Sequence, residues 1–148
     1  MGRTGMAKVR TFEDLICWKS SRELTKRVYQ MTAKRAPLGA DANLCYQMRK
    51  AAVSLLSNIA EGFERGGNKE LIQFLSIAKG SAGELRAQLH VALDAGLVGA
   101  EAYQETLSNA LTVSRQLAAF IQALRRSGYK GEKYSQGSTG VSRAEMNP

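Results

Sequence analysis

Apolar residues recur at steps of three and four through most of this chain, and nowhere alternate with period two over a strand's length. Cys17, Ser21, Leu24, Val28 and Met31 share one face, which predicts a helix over about residues 12 to 34. Thr11 and Asp14 open it in the pattern of a capping box, and Pro37 closes it. A second predicted helix runs from about residue 41 to 62, with Asp41 at its N-cap and a stripe of Leu44, Met48, Ala52, Leu55, Ile59 and Phe63. The third begins after Asn68, also expected as an N-cap. Its stripe is Leu71, Leu75, Ala78, Ala82, Leu85, Leu89 and Ala92, and Gly96 ends it. The fourth covers about residues 100 to 126, with Tyr103, Leu107, Ala110, Ser114, Leu117, Ile121 and Leu124 inward and Gly128 as the C-terminal cap.

Four amphipathic helices joined by short links predict an all-α protein, an antiparallel up-down-up-down four-helix bundle. The chain of 148 residues then divides into a basic arm (1–11), a bundle domain (12–127) and a basic tail (128–148). The tail is rich in glycine and serine, so its composition predicts no packed core and a disordered segment in solution. No run has the length and apolarity of a membrane span, and the first residues lack the apolar stretch of a secretory signal. Cys17 and Cys45 fall in predicted helices and form no C-x-x-C pair, which suggests reduced thiols in a cytoplasmic protein.

The middle helices carry polar stripes as well as apolar ones. Gln47, Ser54, Asn58, Glu61 and Arg65 recur on one face of the second helix, and Glu70, Gln73, Ile77, Ser81, Glu84 and Gln88 along the third. Consecutive antiparallel helices can bring these stripes together. One reading is a carboxylate site built on Glu61, Glu70 and Glu84. The other is a structural polar network of Ser54, Asn58, Glu61, Arg65 and Glu84 that fixes register or joins subunits. Bundle metal sites use paired Glu-x-x-His segments, whereas the sole histidine, His90, has Ala87 three residues before it. No nucleophile elbow, phosphate-binding glycine loop or cysteine–histidine pairing is present either. The expectation is therefore a structural network, with no metal, cofactor or catalytic residue. Gly80 and Gly83 each cost roughly 1 kcal/mol relative to alanine inside a helix, which suggests close packing there. Trp18, Leu56 and Phe74 fall off the inward stripes and are expected on an outer, partner-facing surface.

The segments "FEDLICWKSSRELTKRVYQMT" and "QMRKAAVSLLSNIAEGFERGGNKELIQFLSIAKGSAGEL" resemble the bacterial four helix bundle proteins encoded in intervening sequences of 23S ribosomal RNA genes. The likeness covers about residues 12 to 125, and is most specific at Ser54 with "NIAEG" and Arg65 and at "IAKGSAGEL" with Glu84. It implies a protomer that assembles as a ring-like homopentamer. It also implies a relation to the accessory proteins of diversity-generating retroelements, basic pentamers of the same bundle that bind a reverse transcriptase and nucleic acid. No enzymatic activity is established for the family.

Charge adds the candidate interface. The formal charge is +8, and +6 of it lies at the ends, +3 in residues 1–10 and +3 in residues 125–148. In an up-down-up-down bundle the first helix starts, the second turns into the third and the fourth finishes at one end. That end collects Arg3, Lys8, Arg10, Arg65, Lys69, Arg125, Arg126, Lys130 and Lys133, partly offset by Glu61, Glu64 and Glu70. Lys19, Arg22 and Lys26 extend it along the first helix, and Tyr129 and Tyr134 add rings able to stack on unpaired bases. The expected ligand is RNA, an RNA–DNA hybrid or another polyanion, held through phosphates without a sequence-reading motif. The rival expectation is an adaptor that binds proteins alone.

Overall fold

The computed structural model describes residues 9–128, so the expectations for Arg3, Lys8, Tyr129, Lys130, Lys133, Tyr134 and the tail lie outside it. Four long helices make up the described chain: α1 (Ile16–Met31), α2 (Ala42–Glu64), α3 (Asn68–Asp94) and α4 (Ala100–Ser127). Short 3-10 turns at Phe12–Asp14 and Pro37–Ala40 precede α1 and α2, and no strand occurs among the described residues. Each helix packs on the next, and α1 also packs on α4, which closes a four-helix bundle. The α2–α3 contact is the most extensive.

The core is the set of inward stripes. Leu24, Val28, Met48, Leu55, Ile59, Leu75, Leu85, Leu89 and Leu117 are completely buried. Each such side chain stabilises the fold by roughly 1.5–3 kcal/mol relative to leaving it in water. The face of α4 is broader than one stripe: Thr106, Val113 and Phe120 are also buried, while Ser114 sits at its edge.

The first predicted helix is broken into two pieces. Asp14 Oδ2 accepts the backbone N–H groups of Arg10 (2.9 Å) and Thr11 (3.1 Å), which secures the Phe12–Asp14 turn. The backbone then extends at Leu15 before α1 begins. At its other end α1 stops at Met31 rather than near residue 34. Thr32 bonds back to the Val28 carbonyl through Oγ1 (2.6 Å), and Arg49 from α2 reaches two further carbonyls there. Arg49 donates Nε to Thr32 Oγ1 (2.8 Å) and Nη2 to the carbonyls of Thr32 (3.3 Å) and Tyr29 (3.4 Å). Its guanidinium also lies 4.3 Å from the centre of the Tyr29 ring.

Asp41 caps α2 as expected, accepting from the Leu44 N–H at 2.9 Å. Asn68 does not cap α3. Gly67 holds the N-cap position, and Asn68, one residue inside, donates Nδ2 to the Leu124 carbonyl of α4 (3.2 Å). Between α2 and α3, Gly66 makes the turn at φ 73°, a conformation that glycine adopts without penalty. Gly62 lies within α2 instead, buried against α3.

Candidate nucleic-acid interface

Part of the basic end predicted from topology falls within the described residues, and one contact fixes it. Asn68 joins the start of α3 to the end of α4, so Lys69, Arg125 and Arg126 lie at one end of the bundle. All three are exposed, as is Arg10 beside the entry to α1. Lys19, Arg22 and Lys26 follow along α1, also exposed, and none of these three forms an ion pair among the described residues. Arg22 lies 5.8 Å from the centre of the Trp18 ring, which steadies its guanidinium over an apolar support. The carboxyl of Asp14 is held below its usual range, first by the Arg10 and Thr11 backbone N–H groups and further by the Lys19 charge. Glu23 is the one acid within the run from residue 19 to 35.

Arg65 differs from its neighbours. It pairs with Glu61 at 2.9 Å, one helical turn apart with both groups about half exposed, and its guanidinium lies 5.2 Å from the Phe74 ring centre. Its charge is largely offset where it stands. An ion pair this exposed contributes about 0–1 kcal/mol.

The polar stripes separate into distinct groups. Ser54 and Ser81 bridge α2 and α3 through hydroxyls 3.0 Å apart. Asn58 Nδ2 donates to the Ser54 carbonyl (2.8 Å) and to its Oγ (3.0 Å), forming a compact inter-helix knot. Glu61 and Arg65 form a separate surface pair. Glu84 is exposed and, among the described residues, accepts from Gln88 Nε2 at 3.4 Å. The network of five is thus a knot of two of its members with Ser81, a surface pair, and an isolated carboxylate. No group of three or more His, Cys, Asp or Glu side chains suited to a metal ion occurs among the described residues. His90 sits on the surface, with Nδ1 3.1 Å from the Tyr103 hydroxyl.

Other expectations are corrected. Trp18 is partly buried and packs against the core rather than facing outward, whereas Leu56 and Phe74 are half-buried and are not among the side chains packed on the core. The large apolar side chains that face water are Ile16, Tyr29, Tyr46, Val53, Ile77 and Val91. Gly80 and Gly83 are not points of close packing within the protomer, because a Cβ on either would meet nothing within 4 Å. They open a groove between α3 and α4 that also exposes Lys79 and Arg86. Sequence reasoning missed both cations, since only the seating of α4 shows which α3 side chains share a groove.

This geometry defines an all-helical bundle with a basic end. Residues 13–119 match the family described as 23S rRNA-intervening sequence protein, and the chain belongs to that family. Among solved structures, it is similar to a protein of unknown function from the S23 ribosomal protein family of Bacteroides thetaiotaomicron VPI-5482. That likeness has a TM-score of 0.66 at 18% identity, over 72% of this chain and 99% of the other, and it establishes the shared fold. No curated protein matches. No helix among the described residues is long and apolar enough to cross a membrane.

Proposed function

We propose that the protein is a non-enzymatic, oligomeric scaffold that binds the phosphate backbone of RNA or an RNA–DNA hybrid. The observation that carries this reading is the exposed stripe of Lys19, Arg22 and Lys26, without ion pairs among the described residues and continuous with the basic end of the bundle. Three cations held outward, none of them in an ion pair among the described residues, form a field that attracts polyanions, and a homo-oligomer repeats it around its axis. The resemblance of the sequence to retroelement accessory proteins supports a finer reading. In it the scaffold serves a reverse transcriptase of a diversity-generating retroelement, and five copies form the ring.

The test is equilibrium binding of the full chain to single-stranded RNA of mixed sequence over a salt series. Affinity falls steeply with salt, because bound phosphates release counterions, and changes little with sequence. Changing Lys19, Arg22 and Lys26 together to glutamine weakens binding and flattens the salt dependence by about 0.7 for each phosphate left without its cation. Unchanged affinity at low salt sinks this reading.

A second reading is favoured by Tyr46 and Val53, exposed and two turns apart on α2. An exposed apolar pair on one face of α2 suits a protein partner, and binding by a protein-only adaptor survives moderate salt. Co-purification of a reverse transcriptase that resists salt while RNA does not bind selects this reading.

A further inference from the structure

Between α3 and α4 lies an open groove of about 500 Å³. Gly80 and Gly83 line it, and the space over both is empty to 4 Å. Lys79 and Arg86 reach it from α3 and Arg125 from α4, with no carboxylate among the lining residues. None of these three cations is in an ion pair among the described residues. The Nε atom of Arg86 is buried and has no hydrogen-bond partner there.

Two costs are therefore left standing in the protomer. Like charges gathered along one groove repel one another. A buried donor without an acceptor forfeits the hydrogen bond it would make in water. An anion lying in the groove removes the repulsion among the three cations. Its shape narrows the choice of anion. Lys79 and Arg86 stand two helical turns apart, about 10 Å along α3, with Arg125 from the neighbouring helix completing an extended row. A row matches a chain of phosphates better than a single one. The missing side chains at Gly80 and Gly83 let a backbone lie close to the helix. No aromatic ring lines the groove, so it offers no platform for stacked bases and no means of reading them.

We propose that the α3–α4 groove is a track for the sugar–phosphate backbone of a single RNA strand, apart from the α1 stripe. This inference rests on the nucleic-acid reading above and places a second binding surface for it. The experiment uses the full chain and a labelled single-stranded oligouridylate at low salt. One variant, Lys79→Gln with Arg86→Gln, removes charge from the groove. A second, Gly80→Leu with Gly83→Leu, fills the groove without altering charge, in positions where a side chain meets open space.

Both variants are expected to bind the oligouridylate about tenfold or more weakly, with thermal midpoints at or above the parent's for the leucine pair. The charge variant also lowers the slope of log affinity against log salt by about 0.7 for each phosphate it no longer neutralises. Parent-like binding by both groove variants, with loss of binding in the α1 triple variant, overturns the groove and leaves the broader reading intact. Parent-like binding by all three overturns both. A groove variant that loses oligomer mass yet keeps its RNA affinity also overturns the inference, since the groove then seats another copy of the chain.

Discussion

The α-carbon of Gly62 faces Phe74 so closely that a Cβ placed on it would lie 2.6 Å from the Phe74 Cβ. No real pair of such carbons sits at that distance, so the α2–α3 approach depends on the missing side chain. Gly62→Ala is expected to destabilise the bundle by about 1–3 kcal/mol, the range for forcing an extra methyl into a packed contact. Gly80→Ala is expected to do the opposite, adding up to about 1 kcal/mol, because its surroundings are empty and alanine favours the helix. Urea denaturation of both variants checks the pair, and a stabilising Gly62→Ala refutes the close-contact account.

Arg49 supplies a second test. Its guanidinium serves three acceptors at the C-terminal end of α1, using Nε and Nη2 together. Lysine has a single ammonium and cannot reproduce that fork. Arg49→Lys is expected to lose about 1–3 kcal/mol, the range for stranding partly buried acceptors. Hydrogen exchange should quicken first in the last turn of α1. Parent-like exchange and stability in this variant would remove Arg49 from its capping role.

The contrast between these residues shows what was legible in the sequence. Helical segments could be read because stripes such as Leu71, Leu75, Ala78 and Ala82 have one periodicity and one explanation, burial. The Asp41 cap could be read because its partner, Leu44, is three residues away. Asn68 carried the same local signal, yet its amide is drawn to Leu124, 56 residues on. Gly62 and Gly80 are the same residue in neighbouring helices, one crowded and one open, and only their tertiary neighbours separate them. The α1 stripe was visible as helical spacing in one segment. The Lys79–Arg86–Arg125 groove was not, because it exists only once α3 and α4 are side by side.

Cys17 gives a pH dependence with a definite sign. Burial pushes its thiol up from the ordinary value of 9.0 to about 12, since a thiolate is poorly solvated at a position only 1% exposed. In the unfolded chain the thiol ionises near its ordinary value, whereas in the bundle it stays protonated. Between about pH 9 and pH 12 the folded state therefore binds more protons, and stability falls as pH rises. The contribution of this one thiol declines by about 1.4 kcal/mol per pH unit across that window and is fully present below it. Denaturant titrations should show a shallower alkaline decline in Cys17→Ala than in the parent. Equal declines would assign the effect to other groups. The native thiol should also react slowly with alkylating reagents at pH 8, and at ordinary rates once denaturant is added.

Glu61 and Glu84 lie on the outer surface, and their contacts within the protomer are weak: an exposed pair with Arg65 and a 3.4 Å contact from Gln88. Neither carboxylate holds the bundle together, so Glu61→Ala and Glu84→Ala should each change protomer stability by no more than about 0.5 kcal/mol. Glu84 shares one face of α3 with two exposed apolar side chains, which suggests another role for it. Ile77 and Glu84 are two turns apart on α3, Val91 is two turns further, and Ile77 and Val91 are exposed. If five copies assemble as proposed, this strip of α3 is expected to lie in the contact with a neighbouring subunit, where a carboxylate would fix the register of an otherwise apolar surface. Light scattering at micromolar concentration should give the mass of five chains for the parent protein. Glu84→Ala should lower that mass or weaken assembly while the isolated bundle keeps its helicity and unfolds at a similar denaturant concentration. A monomeric parent would refute assembly altogether. A parent pentamer that survives both substitutions unchanged would move the subunit contact away from this strip, and an unfolded Glu84→Ala protomer would contradict the exposed, weakly bound carboxylate described here.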